Sequence, residues 1–312
     1  MPSSDLFLDP LPFLDGERAF LLYEAVKHRL PHASHPAKAD RYSGLLDVAD
    51  QVDVFVFDAF GVLNVGTDPI PGANTCVAAL RDLGKKLFVL TNAASFNREQ
   101  TFDKFNGLGF DFAHEELITS RHAAEINLAE FGGNHHWGVA ATSDFSPNDL
   151  TVSSVSLGDK KSDYDEVTAF LFLSAQNWNA DRQLMLEQSL KEKPRPVVVA
   201  NPDIVAPRGT EFSIEPGYFG HRLEQMHDVP VNFHGKPFPS VYDVVEQRLE
   251  GQGIDPARIC MVGDTLHTDV RGGAARGWKT ALVTDHGLFK GLDPDHYINI
   301  SGIRPDWMVP AI

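Results

Sequence analysis

The feature that most constrains this chain is a series of short apolar runs, each stopping abruptly on a polar residue. Val52 to Phe57 is rich in β-branched and aromatic side chains and ends at Asp58. Such a run reads as a strand buried on both faces. Lys86 to Leu90 ends at Thr91-Asn92, and Leu117 to Thr119 is a short third run. Helical segments lie between them. Pro71 opens one that passes Leu80 and Leu83 and closes at Gly84, and another spans Asn97 to Leu108. This β-α-β-α-β alternation implies a parallel sheet with right-handed crossovers. The rhythm returns late in the chain. Val231 to His234 leads into Gly235-Lys236-Pro237, and Pro239 starts a helix that ends near Leu249. Ile259 to Val262 stops at Gly263-Asp264, Asp269 to Gly277 reads as a helix, and Thr280 to Thr284 as a strand.

Two stretches stand outside the rhythm. Residues 1–50 read as an N-terminal helical extension that packs against the rest. In it Asp15 caps a helix bearing Phe20, Leu22 and Val26, Pro31 stops that helix, and a second short one spans Gly44 to Ala49. His28, His32 and His35 there read as surface histidines. Residues 121–231 carry candidate strands at Val139–Thr142, Ala169–Ser174, Val197–Ala200 and Phe212–Ile214, with a helix from Asp181 to Leu190. This reads as a separate α/β unit inserted into a domain built from residues 51–120 and 232–312.

Composition narrows the function. The 27 Lys and Arg against 43 Asp and Glu leave a net charge of −16. Such a surface repels nucleic-acid phosphates and anionic lipid, so neither nucleic acid nor membrane is expected as a partner. It also repels small anions, so a phosphate site must carry local cations, and a bound metal is the obvious supplier. Cys76 and Cys260 lie in apolar segments far apart and read as buried reduced thiols. Met1 to Pro12 lacks the basic residues of a secretory signal, and no apolar run approaches the ~20 residues of a membrane helix. The expected compartment is the cytoplasm.

In open parallel sheets a site forms beyond the carboxyl ends of the strands. The residues there are Asp58, Thr91-Asn92, Gly235-Lys236 and Gly263-Asp264. Singly, each has an ordinary reading as a helix cap or a turn. Together they offer one chemistry. A carboxylate attacks phosphorus and holds the phosphoryl group. Mg²⁺ shared by Asp58 and Asp264 neutralises the approaching anions. Thr91 offers a hydroxyl and Lys236 a point charge to the phosphate.

Val54 to Leu63, VFVFDAFGVL, resembles motif I of the haloacid dehalogenase superfamily. Leu90-Thr91-Asn92 resembles motif II, Gly235-Lys236-Pro237 motif III, and GDTLHTD, Gly263 to Asp269, motif IV. All four stand in the family's order. The insert between motifs II and III, with ANPDIVAPRG at Ala200 to Gly209, is similar to the cap of the NagD-like subclass. The resemblance implies an α/β fold, a Rossmann-like parallel-sheet core with an inserted α/β C2-type cap. It implies roles by position: Asp58 as nucleophile and metal ligand, and Phe60 as a metal ligand through its backbone carbonyl. Thr91 and Asn92 would hold the transferring group. Lys236 would orient Asp58, Asp264 would bind Mg²⁺, and Asp269 would support the metal shell or Lys236. Asn201, Asp203 and Arg208 are the candidates for touching the rest of the substrate, although Asn-Pro-Asp is also a good turn. His267 is expected to line the site, and His135-His136 to sit in a solvated loop.

One position departs from the family. Its phosphatases usually carry a second Asp two residues after the nucleophile, which protonates the leaving oxygen. Here that residue is Phe60. General acid–base help is commonly worth ~10²–10⁴ in rate. Three readings compete. In the first, the chain is a phosphatase of a small phosphorylated metabolite, a sugar or nucleotide phosphate, with Asp68 or Asp203 as substitute acid. In the second, it is a metal-independent 2-haloacid dehalogenase, whose motif I carries an aromatic at this place and whose leaving halide needs no proton. In the third, it is a catalytically weak phospho-ligand-binding protein. A homodimer is left open.

Overall fold

A computed structural model describes residues 6–131, 134–208 and 211–312. Its larger sheet has seven strands, all parallel to their neighbours. In chain order they are β1 (Asp40–Arg41), β2 (Val54–Phe57), β5 (Lys86–Thr91), β6 (Leu117–Thr119), β14 (Ile259–Gly263), β15 (Lys279–Val283) and β16 (Trp307–Val309). In space the order is β1-β16-β15-β14-β2-β5-β6. Strand β2 is therefore interior, and its side chains alternate between two cores. Phe55 and Phe57 face one apolar cluster, Val54 and Val56 the other, and all four are fully buried. Burying each such side chain is worth ~1.5–3 kcal/mol, which is why Val54 to Phe57 holds no polar residue before Asp58. The expected Rossmann-like α/β architecture is present.

Helices cover both faces of this sheet. They are α2 (Ala73–Asp82), α3 (Arg98–Gly107), α4 (Ser120–Asn127), α8 (Pro239–Leu249), α9 (Arg271–Ala275) and α10 (Pro294–Ser301). Asn97 caps α3 through a reciprocal pair with Gln100. A small hairpin, β3 (Asn64–Val65) with β4 (Asp68–Pro69), stands just after β2.

The second sheet has five parallel strands in the order β13-β10-β9-β7-β8. These are β7 (Trp137–Ala140), β8 (Ser154–Ser156), β9 (Ala169–Phe172), β10 (Val197–Val199) and β13 (Val231–Phe233). The hairpin of β11 (Val205–Arg208) and β12 (Glu211–Ile214) and the helices α5 (Lys161–Asp165), α6 (Ala180–Glu192) and α7 (Pro216–His227) complete this unit. The sequence alone read the strand from Val231 to His234 in the returning rhythm, with the insert ending at 231. Instead β13 pairs in register with β10, Val197 opposite Val231, so the chain re-enters the first sheet only after Phe233.

The first fifty residues are not purely helical. Helix α1 (Gly16–Val26) is capped by Asp15 as expected, but Asp40–Arg41 add an edge strand to the large sheet beside Trp307 and Met308. The extension also joins the two units. Phe7, Leu14, Leu22 and Val26 share one buried cluster with Phe172, Trp178 and Phe219 of the second unit and Leu266, Val270 and Leu282 of the first. Polar ties run to both sides. The Arg222 guanidinium donates to the carbonyls of Phe7 and Leu8, and Arg271 Nε donates to Pro31 O at 2.8 Å. Cys76 and Cys260 are buried free thiols. Among the described residues no helix is long and apolar enough to cross a membrane.

Candidate active site

Asp58 follows β2, Asp264 follows the neighbouring β14, and Asp269 lies one helical turn beyond. Parallel pairing of β2 with β14 sets the two strand ends side by side, so these carboxylates converge. Oxygens of Asp58, Asp264 and Asp269 all lie within 4.8 Å of one another. The Lys236 ammonium sits against them, 2.6 Å from Asp58 Oδ1 and 2.7 Å from Asp269 Oδ1. Burial opposes its charge, but the carboxylates of Asp269, Asp58 and Asp203 outweigh that, and Lys236 stays protonated well above neutral pH.

The carboxylates are held, not loose. Asp264 Oδ2 accepts from Leu288 N at 2.9 Å and Oδ1 from the Thr265 hydroxyl at 2.9 Å. Gly61 and Gly287, both at positive φ, let the chain close around it. A Cβ on Gly61 would stand 2.6 Å from Asp264 Oδ2, and one on Gly287 would overlap the same oxygen. Asp269 Oδ2 accepts from Thr265 N at 3.0 Å, and Asp58 Oδ1 from Ala59 N at 2.7 Å. Burial, then mutual repulsion, raises the carboxyl of Asp264 well above the usual range. Asp58 is also raised, by burial, against the pull of Lys236. Three buried carboxylates facing one ammonium leave a surplus of negative charge. A hard divalent cation with oxygen ligands fits such a donor set.

Asp203 brings a fourth carboxyl from the second unit. It shares a chamber of about 40 Å³ with Asp58, Phe60, Tyr23, Asp264, Thr265 and Thr268. Burial pushes its pKa up to about 8, so it holds a proton at neutral pH. Asn92 Nδ2 donates to Asp203 Oδ1 at 2.9 Å and to Lys236 O at 2.9 Å, while Asn92 Oδ1 accepts from Lys236 N at 2.6 Å. The Asn92 amide is thus spent on positioning Lys236 and Asp203 rather than reaching into the chamber. Thr91 is buried at the end of β5 with its hydroxyl accepting from Ala93 N at 3.2 Å, and it does not line the chamber.

Other expected residues stand elsewhere. Asn201 Nδ2 donates to Glu215 at 3.1 Å and its Oδ1 accepts from Asp203 N at 3.0 Å, which builds the turn that presents Asp203. Arg208 ends β11, and its side chain lies outside the described residues. Asp68 is exposed in the β3–β4 hairpin and does not line the chamber. His267 turns away from the site: it is fully buried against α1, 2.6 Å from Glu24 Oε1 and stacked on Tyr23, and burial lowers its pKa. His135 is part-buried, with Nδ1 3.2 Å from the Thr168 hydroxyl and Nε2 3.0 Å from Phe131 O.

Three contributors were not found from sequence. Tyr23 reaches the chamber from α1, its hydroxyl accepting from Ile204 N at 3.1 Å. Its distance along the chain leaves no local signal. Leu288 and Gly287 could have been found by extending the strand-end rule to the residues after β15.

Two family models match this arrangement of motifs. One, described as haloacid dehalogenase-like hydrolase, spans residues 55–146, and another, described as haloacid dehalogenase hydrolase-like, spans 233–311. A possible sugar phosphatase of that superfamily from Cytophaga hutchinsonii superposes with a TM-score of 0.78 at 25% identity, covering 88% of this chain and 98% of its own. The chain belongs to the haloacid dehalogenase superfamily. Among its curated relatives, human glycerol-3-phosphate phosphatase is 28% identical over 88% of this chain and 92% of its own length. The 4-nitrophenylphosphatase of Schizosaccharomyces pombe is 25% identical over 71% and 80%. As a haloacid dehalogenase-like hydrolase this chain is an enzyme, and β5, β6, β14, β15 and β16 of its large sheet lie inside the matched segments.

Proposed function

We propose that this hydrolase is a Mg²⁺-dependent phosphatase of a small phosphorylated metabolite, with the second unit acting as a cap. The observation that carries this reading is the convergence of three buried carboxylates on one buried ammonium. Its relatives, a 4-nitrophenylphosphatase, an acid sugar phosphatase and a glycerol-3-phosphate phosphatase, support the same class. Asp58, Asp264, Asp269 and the Phe60 carbonyl would hold Mg²⁺, which supplies charge neutralisation between the carboxylates and the incoming phosphate.

The protein's own groups carry the steps. Lys236 holds Asp58 Oδ1 in place and meets the phosphate with positive charge. An Asp58 oxygen bonds to phosphorus, and the bond to the ester oxygen breaks with its electron pair on that oxygen. Asp203, protonated at neutral pH in the same chamber, gives that oxygen its proton. Water then attacks phosphorus, Asp203 takes the water's proton, and the electron pair of the breaking bond returns to Asp58. Asp203 thereby does from the second unit what Phe60 lacks the chemistry to do.

The test is phosphate release from a panel of phosphometabolites, with and without Mg²⁺, using Asp58→Asn as the blank. Metal-dependent release lost in the variant is expected, and release that persists in Asp58→Asn would sink the assignment. Halide release from a 2-haloacid without metal would promote the dehalogenase alternative, which Phe60 alone favours.

A further inference from the structure

A cleft of about 1140 Å³ shares Phe60 with the chamber that holds Asp203, Asp58 and Asp264. Among the described residues Phe60 alone lines both spaces, so a group esterified to a phosphate at Asp58 can reach the cleft by passing this ring. Among the described residues two phenylalanines are strongly exposed, Phe13 at 82% and Phe96 at 40%, and both line this cleft. Leu11, also exposed, lies beside them. Exposed rings are costly, and gathering them in one cleft next to a reactive centre marks a surface meant to be covered. Among the described residues the charged side chains lining it are Asp15, Asp144, Glu215 and Lys104. Three carboxylates against one ammonium oppose a second anionic group on the ligand, and Lys104 already stands 5.8 Å from the Phe60 ring centroid.

Resting on the phosphatase reading, we propose that this cleft selects phosphate monoesters whose alcohol carries a planar apolar ring and no second anionic group, with Phe13 and Phe96 as specificity-determining walls. Residues 11–15 belong to the extension that bridges the two units, so the extension itself forms part of the substrate site. The ring packs between Phe13, Phe96 and Phe60, while the ester oxygen stays beside Asp58 and Asp203. A small polar alcohol leaves these rings wet, and a ligand carboxylate meets the acidic rim.

The experiment compares 2-phenylethyl phosphate, glycerol 3-phosphate and 2-phosphoglycolate, all with aliphatic ester oxygens, so leaving-group acidity does not dominate. The wild type is expected to favour the phenylethyl ester in kcat/KM by about tenfold or more, with phosphoglycolate poorest. Phe13→Ser and Phe96→Ser should each cut the ratio of phenylethyl to glycerol ester by about tenfold, chiefly through KM. Leu184→Ser, a change at an exposed apolar residue of α6 that does not line the cleft, should leave the ratio as it was. A wild-type ratio near one, or equal losses on both esters in the Phe variants, would overturn the proposal. Calorimetric binding of the same esters to Asp58→Asn separates the two ideas. Ring-dependent binding without wild-type turnover keeps the cleft and removes the phosphatase. Turnover without ring preference does the reverse, and neither binding nor turnover removes both.

Discussion

Asp203 is held by Asn92 in a chamber with Asp58, and its environment decides which form it takes. Burial keeps the acid form up to about pH 8, far above the ordinary 3.8. As proton donor it must be protonated in the resting enzyme, so kcat/KM should fall as pH rises through about 8. Asp203→Asn should lose ~10²–10⁴ in kcat and flatten that alkaline limb. A pH profile with the same limb in the variant would exclude the role. Stability gives an independent check. Between pH 4 and about 8 the unfolded chain releases this proton and the folded one keeps it, so the residue destabilises the fold increasingly over that window. In the presence of a chelator, the gain in urea midpoint from Asp203→Asn should therefore grow from pH 4 to about 8 and then level. Asp58 and Asp264 were legible in the sequence because each follows an apolar run, and Asp269 only through its resemblance to motif IV. Asp203 was legible only through its resemblance to a cap motif. Asn92, which donates to it, and Lys236, whose charge it feels, come from other parts of the chain.

Helix α1 and the residues before it act as a strap, and Arg222 is the buckle. Its guanidinium pairs with Glu187 at 2.6 and 3.2 Å and also donates to the carbonyls of Phe7 and Leu8. Arg222→Ala strips the main partner from a buried carboxylate and frees the strap. A loss of ~3–5 kcal/mol is expected from urea denaturation, together with faster proteolytic cleavage near Leu8 to Phe13. Unchanged cleavage would show that the strap holds without this tie. At this scale the sequence revealed the type of most elements and not their partners. The strand at Val231 was readable from its residues, but its sheet depends on register with Val197. The tie between α1 and both units follows from side chains such as Tyr23 and Glu24 meeting Ile204 and His267, contacts too distant in sequence for any local pattern to register.

For the molecule as a whole, the acidic balance and the buried carboxylates predict a strong response to metal. Any ion bound only by the folded state stabilises it, by about 2.7 kcal/mol at a hundredfold excess over Kd. Mg²⁺ should raise the thermal midpoint of the wild type, and Asp264→Asn should abolish the shift. An identical shift in the variant would place the ion on the acidic surface instead.

The order of strands in the large sheet has a consequence for how the protein is made. All five strands of the smaller sheet have been synthesised once Phe233 is added. In the large sheet, β2 pairs with β5 on one side, but its other neighbour, β14, begins at Ile259. During translation the smaller unit can close first, while the edge of β2 and the apolar face of α1 wait for the last strands. The nascent chain is most in need of a chaperone in that interval. The nucleophile and its carboxylate partners meet only after Asp269 has emerged, so the site cannot assemble on the first half of the sheet alone.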